Sequence, residues 1–150
     1  MGNICRSPSA EGVFRALVTA RGIADQFQID SCGTIDYHTG EAPDIRAQKT
    51  AKGRGIDISR LQARQYRASD FSGFDYIIAM DEDNFDVLGS ECPLEYRHKL
   101  HLFCSFAPER KETEVPDPYY GAARGFEDVY DLIADASDGL LKAIQDAAAR

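Results

Sequence analysis

The chain has 150 residues, 43% of them hydrophobic and 28% charged, and a formal net charge of −8. That length suits one domain, residues 1–150, and the surplus of acid argues against broad binding to nucleic acid or to an anionic membrane. No stretch approaches the roughly 20 apolar residues of a membrane span and no basic-then-apolar leader opens the sequence, so the expected compartment is the cytoplasm. Cys5, Cys32, Cys92 and Cys104 are too few and too scattered for a disulfide scaffold and are expected as free thiols.

The first residues, "GNICRSPSAEGVFRALVTARG", predict a tight loop running into a helix. Gly2 and Asn3 tolerate left-handed backbone, and alternating handedness turns successive N–H groups inward into an anion nest. Ser7 is expected to cap the helix, with Pro8 at its first position and Gly22 at its end. Ala10, Val13, Phe14, Leu17 and Val18 recur at helical spacing as its apolar face. "QFQIDSCGT" predicts a strand from Phe27 to Ser31, and "APDIRAQKTAKGRG" a helix from Asp44 to Lys52 closed by Gly53 and Gly55. "FDYIIAM" is a continuous apolar run, expected as a parallel strand buried on both faces. "DEDNFDVL" predicts a helix with acidic residues at its positive end, and "HKLHLFCSF" another strand. A polar loop with three prolines leads to the longest helix, whose stripe is Phe126, Val129, Tyr130, Ile133, Leu140, Leu141 and Ile144, interrupted by a helix-weakening Gly139. Strands alternating with helices indicate an α/β fold with a parallel sheet. The strongest helix start has no strand before it, although a phosphate loop normally joins a strand end to a helix start.

Arg6 adds a planar fork able to hold two oxygens of a tetrahedral oxyanion beside the positive helix end. Local chemistry alone leaves a second reading open, a structural turn with Arg6 as a surface charge. The run "CPLEYRHKLHLFC" gathers Cys92, His98, His101 and Cys104, which are zinc-ligand types. It has no C-x2-C pair, and in a strand His98 and His101 would point to opposite faces, so no metal is expected.

"GNICRSPSAEGVF", "SCGTIDYHTGEAPDIRA", "ARQYRASDFSGFDYIIAMD" and "VPDPYYG" follow one another in the chain, and together they resemble the low-molecular-weight protein tyrosine phosphatases over essentially its whole length. The resemblance implies a single domain with a four-stranded parallel sheet and helices on both faces, the first strand being missing from this chain. It implies a phosphate-binding loop of Gly2, Asn3, Ile4, Cys5, Arg6 and Ser7, with Arg6 and Asp117 catalytic, and a substrate cleft walled by Tyr37, Tyr119 and Tyr120. In that reaction a cysteine thiolate attacks phosphorus, Ser7 hydrogen-bonds the thiolate, Arg6 stabilises the equatorial oxygens, and Asp117 protonates the tyrosine oxygen before activating water. No cofactor is implied. The partner is a phosphotyrosine-containing protein or peptide, with a tyrosine kinase as counterpart and neither nucleic acid nor membrane involved. On turn chemistry alone, Asp117-Pro118 is also a common turn dipeptide.

The family loop is C-x5-R-S, which places the nucleophile immediately before Met1; Cys5 abuts Arg6 and matches a position that partners the nucleophile in redox protection. The expectation is that the natural protein extends upstream with a strand ending in cysteine, and that the chain as written is inactive and folds poorly. A phosphate-binding or phosphotyrosine-binding pseudoenzyme is the alternative from another class. Arsenate reduction is a remote one, because Cys92 and Cys104 are twelve positions apart. One departure is local: Leu61 stands where many members have a histidine supporting the loop asparagine, so Asn3 needs another support, for which Arg64 is the candidate.

Overall fold

The computed structural model describes residues 2–118 and 123–150, without the side chains at 123 and 124. The helices are α1 (Arg6–Ala20), α2 (Ile45–Gly53), α3 (Ala68–Gly73), α4 (Glu82–Glu91) and α5 (Ala123–Ala148), and the strands are β1 (Ile77–Ala79) and β2 (Leu100–Leu102). Short 3-10 turns occupy Ala24–Gln26, Leu94–Lys99 and Phe103–Phe106.

Ser7 does not cap α1. Cys5 stands at the cap position without a side-chain hydrogen bond, and the helix is already under way at Arg6. The cause is the Cys5 carbonyl, which accepts from the Ser9 amide at 3.2 Å and the Ser9 hydroxyl at 2.6 Å and draws the first turn forward. Pro8 still falls in that turn, where an amide has no intrahelical acceptor to lose. The far end is as expected. Gly22 has φ +71°, its amide donates to the Thr19 carbonyl at 3.0 Å, and the Ile23 amide donates to Val18 at 3.0 Å, a Schellman closure. In α2, Asp44 caps by accepting from the Arg46 amide. The short α3 has no periodic pattern of its own and is started by Asp70, whose carboxylate accepts from the Arg67 amide at 2.8 Å.

β1 and β2 pair in parallel, Ile77 opposite Leu100, Ile78 opposite His101 and Ala79 opposite Leu102, with α4 as the crossover that parallel pairing requires. Alternation along β1 serves two cores. Ile78 packs on the cluster of Phe14, Val18, Ile133 and Leu141, built by α1, α2 and α5. Ile77 packs with Phe71, Leu88, Cys92 and Leu100 on the α3–α4 side. Helices therefore cover both faces of the sheet. The expected burial of "FDYIIAM" on both faces is only partly met: Ile77 and Ile78 are half-buried, because β1 has a ladder partner on one edge and a cavity on the other. The expected strand at Phe27–Ser31 forms no ladder among the described residues. Phe27 is extended (φ −126°, ψ 137°), but the same cavity separates this segment from β1. The described ladder thus has two strands, with one isolated parallel bridge between Gly33 and Gln65.

The strand expected over "HKLHLFCSF" is confined to Leu100–Leu102, so His98 lies in the preceding turn and not on an opposite strand face. Cys92 and Cys104 are buried in different apolar clusters. His101 is stacked against Tyr76 at 5.8 Å between ring centroids, and among the described residues no group of His, Cys, Asp and Glu is placed to hold a metal ion.

The stripe of α5 faces the core: Phe126, Val129, Tyr130, Ile133, Leu140 and Leu141 are buried, and Ile144 packs against them. Gly139, a defect by helix propensity, is a packing requirement. A Cβ there would overlap the Phe106 carbonyl oxygen and stand 2.8 Å from its carbon. Gly139→Ala gains about 1 kcal/mol of helix propensity, but it cannot avoid displacing backbone, which costs more. The expected outcome is a melting temperature lower by roughly 3–8 °C, read by circular dichroism.

Candidate active site

Asn3 begins the loop in the left-handed region, φ +63°, the one described non-glycine residue to do so. Asparagine tolerates this conformation, and its side chain here is fully engaged. Its Nδ2 donates to the Ser7 hydroxyl at 2.7 Å and the Ser31 hydroxyl at 3.0 Å, while its Oδ1 accepts from the Arg64 main-chain amide at 3.1 Å. Ser31 donates onward to Glu11 at 2.7 Å, and Glu11 accepts from Arg15 at 2.7 Å. The support expected from Arg64 therefore comes from its backbone; its guanidinium is turned to Asp70 and Asp30. Ser7 accepts from Asn3, so its own hydroxyl hydrogen serves some other acceptor, as donation to a thiolate requires.

Gly2 supplies room, since a Cβ there would lie 2.6 Å from the His38 ring. The Ile4 carbonyl accepts from the Asp44 amide at 2.7 Å and ties the loop to the start of α2.

Arg6, at the first position of α1, is 5% exposed. Its Nη1 donates to Asp81 Oδ2 at 2.7 Å and to the Val115 carbonyl at 2.8 Å. Both bonds use one corner of the fork, Nη1. Burial works against ionisation of Asp81, but the Asn84 amide and the Arg6 guanidinium outweigh it and hold the carboxyl below its ordinary range.

Burial pushes the Cys5 thiol up to about 12, with Asp44 and Asp117 adding to the effect, so Cys5 is a neutral thiol near pH 7. Cys32 is pushed up to about 11, again by burial. Neither is a ready nucleophile. Asp117 lines the same cavity of about 800 Å³ as residues 2–7. Tyr37 stands at the rim, 81% exposed and edge-on to His38 at 4.9 Å between centroids. Tyr119 and Tyr120, expected as further walls, lie outside the described residues.

The geometry adds residues that sequence reasoning passed over. Asp81 read as one acid among several at a helix start; its place after β1 was the available signal. Ser31 and Glu11 gave none, since their partners are distant in sequence.

The model of the family described as low molecular weight phosphotyrosine protein phosphatase matches residues 1–150. The chain belongs to that family. The phosphatase of this name from Schizosaccharomyces pombe is 44% identical over 145 residues, covering 96% of this chain and 92% of the relative. The human one is 44% identical over 132 residues, 87% of this chain and 82% of its own length. The crystal structure of a protein tyrosine phosphatase from Entamoeba histolytica, with Hepes in its active site, superposes with a TM-score of 0.95 at 40% identity, covering 98% of this chain and 94% of that one. Membership accounts for the parallel α/β fold and makes the loop at Arg6 the place to look for chemistry.

Two substitutions test this geometry. Asp81→Asn leaves a buried guanidinium without its counter-charge and is expected to cost about 1.5–3 kcal/mol near neutrality. Because the folded pKa of Asp81 is depressed, its contribution is full above the ordinary carboxylate range and is lost as pH falls through the folded value. The difference between the two proteins in urea therefore shrinks progressively below about pH 4. Asn3→Gly keeps the left-handed backbone and removes three hydrogen bonds, so it isolates the side chain, and a loss of about 1–3 kcal/mol in the same titration is expected.

Proposed function

We propose that this chain supplies the phosphate-binding and proton-donating body of a phosphatase acting on phosphotyrosine in proteins or peptides. The observation that carries the reading is the Arg6 fork, pinned at one corner by Asp81 and Val115 at the head of α1. Nε and Nη2 then form charge-assisted bonds to two phosphoryl oxygens, and the first amides of α1 add the helix's positive end. As charge develops on the equatorial oxygens in the transition state, these fixed donors stabilise it without reorganising.

In the family reaction a thiolate forms the sulfur–phosphorus bond as the bond from phosphorus to the tyrosine oxygen breaks. Asp117 gives its proton to that oxygen, then takes one from water as water displaces sulfur. Asp117 suits both steps by standing exposed at the mouth of the cavity that contains the loop. Tyr37 offers an aromatic face for the phenyl ring. Burial keeps the Cys5 and Cys32 thiols protonated near neutrality, which counts against either as the attacking thiolate. The counterpart of this activity is a protein tyrosine kinase, and the compartment is the cytoplasm, a reading supported by four free cysteines.

Binding is the direct test. Phosphotyrosine titrated into the chain by calorimetry should bind, and Arg6→Lys should weaken it at least about tenfold, because a point charge replaces a bidentate fork. Equal affinity in the two proteins would place the anion elsewhere. Hydrolysis of an aryl phosphate by the unmodified chain would assign the nucleophile to one of the four cysteines after all.

A further inference from the structure

The basic residues of this acidic chain are unevenly placed. Residues 46–67 hold seven of its 17 lysines and arginines and only one of its 25 acids, Asp57. Three of the seven have structural partners. Arg54 pairs with Glu127 at 2.7 Å and Asp131 at 2.8 Å, Arg64 with Asp70 and Asp30, and Arg46 with Asp44. Lys49 and Lys52 pair with no acid among the described residues. Asp57 is taken up by the Ser59 amide at 2.9 Å and the Ser59 hydroxyl at 2.6 Å.

Both lysines lie on one face of α2. The helix buries Ala47 and Ala51, while Arg46 and Arg54 turn sideways to α5 and stack over Phe126 at 4.9 Å and Tyr130 at 5.5 Å from the ring centroids. At about 100° per residue, Ile45, Lys49 and Lys52 fall within about 60° of one another, on the side away from the two alanines. All three are exposed, Ile45 to 75%. This stripe starts at the anion loop. The Asp44 amide, immediately before Ile45, donates to the Ile4 carbonyl at 2.7 Å. From Ile45, Lys49 stands about 6 Å and Lys52 about 10 Å farther along the helix axis. An extended peptide advances about 3.3 Å per residue, so the two ammonium groups match positions two and three residues beyond one seated on Ile45.

We infer that this face of α2 is a docking track for the polypeptide that flanks a phosphotyrosine, with an apolar side chain on Ile45 and carboxylates on Lys49 and Lys52. The substrates so favoured carry acidic residues two to three positions past the residue on Ile45, on one side of the phosphotyrosine. Charge decides the occupant. A protein of net charge −8 repels an acidic segment over most of its surface, and unpaired cations on one face accept it. The contacts are exposed and individually weak, so the track discriminates between flanking sequences and does not hold a peptide by itself. The inference rests on the reading of the Arg6 loop as the phosphate site.

Calorimetry at about 0.15 M salt, where remote charges are screened, compares three probes. They are free phosphotyrosine and two phosphotyrosine peptides with leucine on both sides of the phosphotyrosine, continued by glutamates in one and by glutamines in the other. The glutamate peptide is expected to bind the unmodified chain about fivefold tighter than the glutamine peptide. Lys49→Gln with Lys52→Gln is expected to abolish that difference and to leave the affinity for free phosphotyrosine within about twofold. Lys142→Gln with Arg150→Gln, an equal loss of charge toward the far end of α5, is expected to preserve it. Three results overturn the inference while the phosphate site stands: no discrimination by the unmodified chain, discrimination that survives the α2 double substitution, or its equal loss in both double variants. Failure of free phosphotyrosine to bind at all overturns the phosphate reading and the docking track with it.

Discussion

One guanidinium nitrogen organises this molecule. Arg6 Nη1 reaches Asp81, 75 positions away, and the Val115 carbonyl, 109 positions away. Val115 in turn donates its amide to Met80 at 2.8 Å, at the end of β1. The start of α1, the end of the strand and the segment leading to Asp117 are closed into a ring of hydrogen bonds around a buried charge. Such a charge is tolerated only when it is paired and hydrogen-bonded, so the elements that satisfy it are held in one arrangement. The loop before α1 inherits its geometry from that requirement.

The same economy appears at Asn3. Its carbonyl oxygen is met by a main-chain amide, that of Arg64, and not by a side chain. Support by backbone does not depend on a side chain's protonation. The Asn3 oxygen therefore keeps its donor at any pH at which the fold persists, and the polar chain through Ser31 and Glu11 fixes the other end of the same amide.

The long-range parts of this arrangement were the least legible in the sequence. The helices were readable where periodicity, a capping residue and a closing glycine agree: α2 begins after Asp44 and α1 closes at Gly22. The left-handed turn at Asn3 was readable because few residues accept it. Ser7 looked like a cap because a serine before a proline usually is one, yet the Cys5 carbonyl started the helix earlier and Asn3 claimed the hydroxyl. Asp81 could not be separated from its acidic neighbours without knowing that α1 begins beside the end of β1. Phe27–Ser31 had a strand's alternation, but alternation describes a face and says nothing about which neighbour the edge will find.

The close approach of α5 to Phe106 has a mechanical consequence. With no side chain at Gly139, the helix rests in a notch on backbone, and sliding by even one residue would drive a Cβ into that carbonyl. α5 is therefore a rod pinned along its axis. Near its other end, about 20 Å away at the α-helical rise, Gly125 lies against Pro118, the residue after Asp117. Indexing the rod at one end sets how far it reaches at the other, so a glycine remote from the loop bears on where Pro118 and the segment leading to it are held.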